Sequence, residues 1–253
     1  MQSYLKALFK FFFTFLFTYE SENMPYSLEN KGYLLIIDNI NQPAVIGKLT
    51  ETFGHFILNP PRILLRQNGK EISNIFSQIS NNRFDNQDFQ QFDCFICVIL
   101  SYHINEKYVA SNKREINFEE IITSLNSCEQ LKNKPKLFFL QAYETSEPRS
   151  SDNDNDDDAS PDDSVILPIS ITIKPDFFFA FSNVFSNRVS IDELDRGHFF
   201  FQMLCENIET NTSGLDICVL MRKINQEILL KRSLPEVFCF ISMLVDECIF
   251  MSV

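Results

Sequence analysis

Apolar residues in this chain fall into two kinds of run. Short blocks of bulky residues with polar or turn-forming flanks occur at GYLLIID (32–38), RILLR (62–66) and CFICVILS (94–101), and again at KLFFLQ (136–141), KPDFFFAFS (174–182) and LPEVFCFISML (234–244). Blocks of this length predict strands, and GYLLIID and KLFFLQ, short apolar runs between polar flanks, predict buried ones. CFICVILS is apolar throughout and is expected at the centre of a sheet. Between these blocks the apolar spacing changes to three and four. Val45, Leu49, Phe53 and Phe56 form one stripe; Ile72, Ile75, Phe76 and Ile79 a second; Phe118, Ile121, Ile122 and Leu125 a third. Each stripe predicts an amphipathic helix. GHFFFQMLCENI (197–208) predicts a helix that is apolar around much of its surface. A last helix, capped by Ser213, carries Ile217, Leu220, Met221, Ile224 and Ile228. Strands alternating with single helices imply right-handed crossovers, and so an α/β fold with a mostly parallel sheet.

Two stretches stand outside this rhythm. SDNDNDDDASPDDS (151–164) has seven aspartates and no basic residue. Such composition buries too little apolar surface to offset chain entropy, so residues 146–165 are expected to be a disordered acidic linker. At the other end, YLKALFKFFFTFLFTYE (4–20) places two lysines before seven residues that are apolar except for Thr14. That run is too short for a bilayer span of about 20 residues, and no small-residue cleavage site follows it. Leu5, Leu8, Phe9, Phe12 and Leu16 share one helical stripe, so a helix docked on the body or lying on a membrane surface is expected. The segment 1–25 is too short for a helical bundle.

Charge and composition narrow the function. The formal charge is −12 and the isoelectric point about 4.7, which excludes a protein that binds nucleic acid through basic residues. There are 27 phenylalanines and no tryptophan, a supply of rings for sheet–helix interfaces. The seven cysteines show no disulfide framework, which fits a reducing, cytoplasmic setting. Cys94 and Cys97 form a C-x-x-C, but three positions apart on a strand point to opposite faces. His55, His103 and His198 accompany no such pair, so no metal site is expected. The six glycines form no phosphate-cradling loop, and no cofactor is expected.

Several stretches, in order, resemble the caspase family. They are KGYLLIIDN, FDCFICVILSYH, NKPKLFFLQAYE, KPDFFFAFSNV with DRGHFFFQMLCE, and LPEVFCFISMLVDECIF. The resemblance begins at about Tyr26 and brackets the acidic run where that family is cut into large and small subunits. It implies a three-layer sandwich in which helices cover both faces of a six-stranded, mostly parallel sheet. It also implies four divisions: a Phe-rich segment 1–25, a large-subunit-like region 26–145, the linker 146–165 and a small-subunit-like region 166–253.

What the resemblance implies about chemistry is a loss. The family attacks a peptide carbonyl with a cysteine thiolate at the end of one strand, with a histidine at the end of its neighbour as general acid–base. Here Tyr143 occupies the cysteine position in Gln141-Ala142-Tyr143, and Tyr102 the histidine position in Ser101-Tyr102-His103. A phenol, with a reference pKa near 10, is roughly one part in a thousand ionised at pH 7. His103 is one residue late and reaches the crevice only through a bulge. Thr145 and His103 stand where the family has glycines beside its oxyanion hole. In the pocket for an aspartyl side chain, Gln141 matches the family, Asp192 takes the place of an arginine, and the short stretch from Asn39 to Ala44 offers no second arginine. No catalytic residues are therefore expected, with His103 as a possible residual base.

The expectation is a non-catalytic caspase homologue that regulates apoptosis. It would pair with active caspases or their regulators, or as a homo- or heterodimer, through the last strand. Two alternatives follow from the same residues. One is an active cysteine endopeptidase with His103 as base and one of the seven cysteines as nucleophile, Cys128 being nearest to Tyr143 in sequence. The other is a caspase substrate or decoy cut after Asp158 or Asp163, each of which precedes a small residue.

Overall fold

A computed structural model describes residues 26, 31–104, 107–144, 174–184, 199–211, 214–230 and 236–250. Strands are β1 (Gly32–Asp38), β2 (Arg62–Leu65), β3 (Cys94–Ile104), β4 (Lys107–Val109), β5 (Lys136–Glu144), β6 (Phe177–Val184), β7 (Leu215–Asp216), β8 (Glu236–Ser242) and β9 (Ile249–Phe250). Helices are α1 (Pro43–Phe53), α2 (Gly69–Ser80), α3 (Phe118–Asn126), α4 (Phe199–Thr210) and α5 (Ile217–Leu230).

The main sheet runs β2-β1-β3-β5-β6-β8, with β4 paired to β3 alone. β2, β1, β3, β5 and β6 are parallel, and β8 is antiparallel to β6. The six strands of this path match the expected sheet. The hairpin arm β4 adds a seventh member that the sequence pattern did not reveal, because Lys107-Tyr108-Val109 is too short to read as an apolar run. A separate two-stranded sheet joins β7 to β9.

The two apolar cores lie on the two faces of the sheet. On the first face, α2 and α3 pack through Ile72, Phe76, Ile122 and Leu125 against Leu35, Cys97, Phe138 and Phe179. On the second, α1, α4 and α5 pack through Leu49, Phe53, Leu204 and Leu220 against Ile36, Val98, Phe139 and Ala180. Cys94 and Cys97 fall in different cores, as their spacing on a strand requires. The rings of β5 and β6 stack: Phe138 lies 4.9 Å from Phe179, which lies 6.1 Å from Phe177 and 5.9 Å from Phe181. Each such ring, wholly removed from water, contributes on the order of 2–3 kcal/mol.

Local signals explain the helix starts. Asn68 accepts from the N–H groups of Lys70 and Glu71, and Glu71 answers from the Asn68 N–H, a reciprocal cap on α2. Asn117 caps α3 by accepting from Glu120 N–H. The cap of α5 differs from the expected one. The helix begins at Ile217, too far along for Ser213, and the Asp216 carboxylate accepts from the N–H groups of Cys218 and Val219. Ser213, the segment 1–25 and the linker 146–165 lie outside the described residues. Tyr26 marks where the first of these segments reaches the body. Its N–H donates to the Glu247 carbonyl at 3.1 Å, its hydroxyl donates to Asp176 at 2.6 Å, and Val245 N–H donates to that hydroxyl at 3.2 Å.

Candidate active site

In a mostly parallel sheet the loops leaving the carboxyl ends of the strands make the natural site. Here those ends belong to β1, β3, β5 and β6. The β3–β5 register is unbroken from Phe95↔Lys136 to His103↔Glu144, and it pairs Tyr102 with Tyr143. Strand alternation fixes what each position faces. Leu100 and Phe139 belong to the second face, so Tyr102 and Tyr143, two and four positions further on, also point there. The two phenols are therefore side by side, one strand spacing of ~4.8 Å apart at their backbones. Tyr143 is buried at 4% exposure and lies between Tyr102 and Val184, whereas Tyr102, between Val109 of β4 and Tyr143, is 36% exposed. Gln141 is on the same face one step below, fully buried and paired with Ser182 of β6.

His103 points the other way. It follows Ile99 and Cys97 onto the first face, and no bulge interrupts the ladder to re-aim it. It is 3% exposed and sits across from Tyr108 in the β3–β4 hairpin. Burial holds its pKa down at about 4. The neighbourhood is a structural polar cluster. Ser101 donates to the Val109 carbonyl, Asn39 Nδ2 donates to Ser101 Oγ at 3.4 Å, and Tyr108 donates to Asn183 Oδ1 at 2.9 Å. The sequence pattern did not reveal this cluster because its organiser, Tyr108, belongs to the unforeseen β4 hairpin.

The cysteines lie away from the crevice. Cys94 opens β3 and Cys97 is mid-strand in the core. Cys128, nearest to Tyr143 in sequence, precedes β5. It is buried beside the Ile79 carbonyl at 3.7 Å. β5 is nine residues long, so Cys128 is at the opposite end of the sheet, ~25 Å or more from the strand tip at ~3.3 Å per residue. Cys239 lies mid-way along β8, level with Phe181, and packs on the first face. Cys205 and Cys218 are on helices, and Cys248 is in the second core. Burial pushes Cys94 up to about 12, Cys205 and Cys239 up to about 11, and also raises Cys97, Cys218 and Cys248. Such thiols are held in the neutral, unreactive form at pH 7.

The loop after β1 is closed on itself. The Asp38 carboxylate accepts from the N–H groups of Ile40, Asn41 and Gln42 at 2.7–3.0 Å, and Asn39 N–H donates to the Leu100 carbonyl. Asp38 at a strand end, followed by Asn39 and Asn41, is the sequence signal for this turn. The turn itself, residues 39–44, contains no arginine. Asp192, Thr145, His198, Asp158 and Asp163 lie outside the described residues. Among the described residues there is no cluster of three or more His, Cys, Asp or Glu side chains able to hold a metal ion. Among them, too, no helix is long and apolar enough to cross a membrane.

The chemistry available at the strand tips is thus that of two neighbouring phenols beside a buried amide. Phenols donate hydrogen bonds and pack.

Comparison with known proteins adds the family. The family model for the caspase domain matches residues 21–247. Caspase-3 of Bos taurus is 25% identical over 196 residues, covering 72% of this chain and 66% of that protein. Caspase drICE of Drosophila melanogaster is 29% identical over 150 residues, covering 56% of this chain and 42% of that protein. The chain thus spans less than two thirds of the length of these curated relatives. A crystal structure of drICE superposes with a TM-score of 0.65 at 22% identity, covering 90% of this chain and 95% of that one.

Proposed function

Because the chain belongs to the caspase family, we propose that it is a non-catalytic member that regulates cell death by pairing with active caspases or their regulators through β8. The observation that carries this reading is the Tyr102–Tyr143 register. These residues stand on the two neighbouring strand tips where the family keeps its imidazole and its thiolate. A tyrosine at either position removes a step: at one the base, at the other the nucleophile and its acyl intermediate.

The pairing half of the proposal rests on β8. It is the last strand of the sheet path, and among the described residues it pairs with β6 alone. Phe240 and Ile241 are only half buried. An open edge with bulky side chains is suited to strand addition. The same reading puts the protein in the cytoplasm, where caspases would be met. The shifted-residue protease is disfavoured, since His103 faces away from Tyr143 and Cys128 precedes the strand.

The test uses the purified full chain and an active caspase from the same source. A defined complex and a changed rate of aspartyl-peptide hydrolysis by that caspase are expected, both lost in Ile241→Lys. Absence of association together with an unchanged rate would overturn the reading.

A further inference from the structure

At the edge of the sheet opposite β8, apolar side chains and positive charge come together. β2 begins the sheet path and, among the described residues, pairs with β1 alone. Large apolar side chains stand open along it. Leu58, shortly before the strand, is 47% exposed, Ile63 38% and Leu65 53%. Ile63 and Leu65 are two positions apart and share one face of the strand, while Leu64 between them packs on the first core. Arg62 opens the strand and Arg66 follows it.

Beyond Leu65 two turns meet. The Gln67 carbonyl accepts from Ser111 N–H at 3.0 Å, and Asn112 Oδ1 accepts from Gly69 N–H at 3.5 Å. A methyl group added at Gly69 would lie 3.7 Å from Arg114 Cβ. This contact gathers Arg66, Lys70, Lys113 and Arg114, all exposed, at one corner of the molecule. None of the four makes an ion pair among the described residues. The carboxylates close by are already engaged. Glu71 accepts from Asn68 N–H at 2.7 Å, Glu115 bridges to Lys107 at 2.7 Å, and Asp38 is held by its own turn. A chain with a net charge of −12 thus concentrates four unpaired cations at the end of an open strand edge.

Arginines on a strand edge select its partner. Two copies of such an edge repel each other, which guards against self-pairing, while the free N–H and C=O groups stay open to a strand of opposite charge. Pro60 and Pro61 cannot donate to a ladder, so added pairing runs along Arg62–Leu65 towards the basic corner.

We propose that β2 and the corner formed by Arg66, Lys70, Lys113 and Arg114 are a docking surface for an extended acidic segment of a partner protein. The segment adds to the free edge of β2, sets carboxylates on the corner and covers Ile63 and Leu65 with alternate apolar side chains. A stretch of about seven residues is ~23 Å long at ~3.3 Å per residue, enough to pass the four residues of β2 and reach the corner. β2 and β8 are at opposite ends of the sheet path, so a partner held here leaves β8 free, and the inference stands apart from the pairing role of β8.

The test uses the full chain and a fluorescein-labelled peptide of alternating glutamate and valine, Glu-Val-Glu-Val-Glu-Val-Glu, which has no aspartate for an aspartyl pocket to read. Saturable binding is expected in fluorescence anisotropy, weaker at roughly 0.3 M than at roughly 0.05 M salt. Arg66→Glu with Arg114→Glu is expected to weaken it about tenfold or more, and Lys70→Glu with Lys113→Glu, at other positions of the same corner, likewise. Ile63→Asp is expected to weaken it about threefold or more. Bound peptide should slow amide exchange at 62–66, with exchange at 94–104 the same in every variant as the control for folding. Absence of saturable binding would overturn the proposal, as would equal binding by the charge-reversed variants or unchanged exchange at 62–66. Binding of a single-stranded DNA oligonucleotide or of phosphatidylserine vesicles as tightly as the peptide would overturn it too, since the corner would then take any polyanion.

Discussion

Tyr102 and Tyr143 are register partners on neighbouring parallel strands and face the same side of the sheet. Side chains so placed meet directly, so replacing the pair together should place a thiol beside an imidazole. In Tyr143→Cys with Tyr102→His, the new thiol is expected to react with iodoacetamide at pH 7 about tenfold faster than in Tyr143→Cys alone, because a neighbouring imidazolium lowers a thiol's pKa. Turnover of an aspartyl peptide is not expected to return, since Asp192 and Thr145 are unchanged. Equal alkylation rates in the two variants would show that the positions do not meet.

His103 gives the account a pH signature. Burial lowers its folded pKa to about 4, against about 6.5 when unfolded. Between these values the unfolded chain binds the extra proton, so this contribution to stability is full above about pH 6.5 and declines as pH falls towards 4. The difference amounts to about 3 kcal/mol at most. Denaturant unfolding of wild type and His103→Gln from pH 7.5 to 4.5 should show a smaller loss in the variant. Parallel curves would contradict the buried, neutral histidine.

The stacked rings of β5 and β6 set the stability of the centre. Phe179 is fully buried and touches three other rings, Phe138, Phe177 and Phe181. Phe179→Ala is expected to cost about 3–5 kcal/mol in urea unfolding, and Phe179→Leu less than half of that. Similar small losses in both would mean that the ladder relaxes around the gap.

Asp176 joins the amino-terminal anchor to a buried cation. It accepts from Tyr26 and lies 3.9 Å from the ammonium of Lys136, whose other partners are the Leu131 and Lys134 carbonyls at 2.9 and 2.7 Å. Burial lowers the Lys136 pKa to about 8, and the Asp176 charge acts in the opposite direction. Asp176→Ala therefore leaves a buried charge without its counter-ion and is expected to cost about 3 kcal/mol at pH 7. In the variant the loss should shrink as pH is raised towards 8, because the folded state sheds the Lys136 proton before the unfolded state does. A cost independent of pH would assign it to the lost Tyr26 bond instead.

The parts of the fold legible in the sequence are those carried by periodicity. GYLLIID, CFICVILS, KLFFLQ and the FFFAF block are buried on both faces, so their composition alone marks them as inner strands. The stripes of α1, α2 and α3 face a core and keep their spacing for that reason. The β4 hairpin escaped because three residues carry no period, and the cap of α5 because several polar residues precede the helix and only backbone geometry selects Asp216. At the strand tips, the faces of Tyr102, His103 and Tyr143 follow from strand alternation. The folded-back Asp38 turn carries a local signal in Asp38, Asn39 and Asn41, whereas the Tyr108–Asn183 bond joins residues distant in sequence, and no local pattern encodes it.

The most direct measurement is the hydrolysis of aspartyl peptides by the purified full chain, with an active caspase as positive control. No release above buffer is expected, and none after His103→Ala. Steady turnover by the wild type that His103→Ala abolishes would contradict the proposed non-catalytic role.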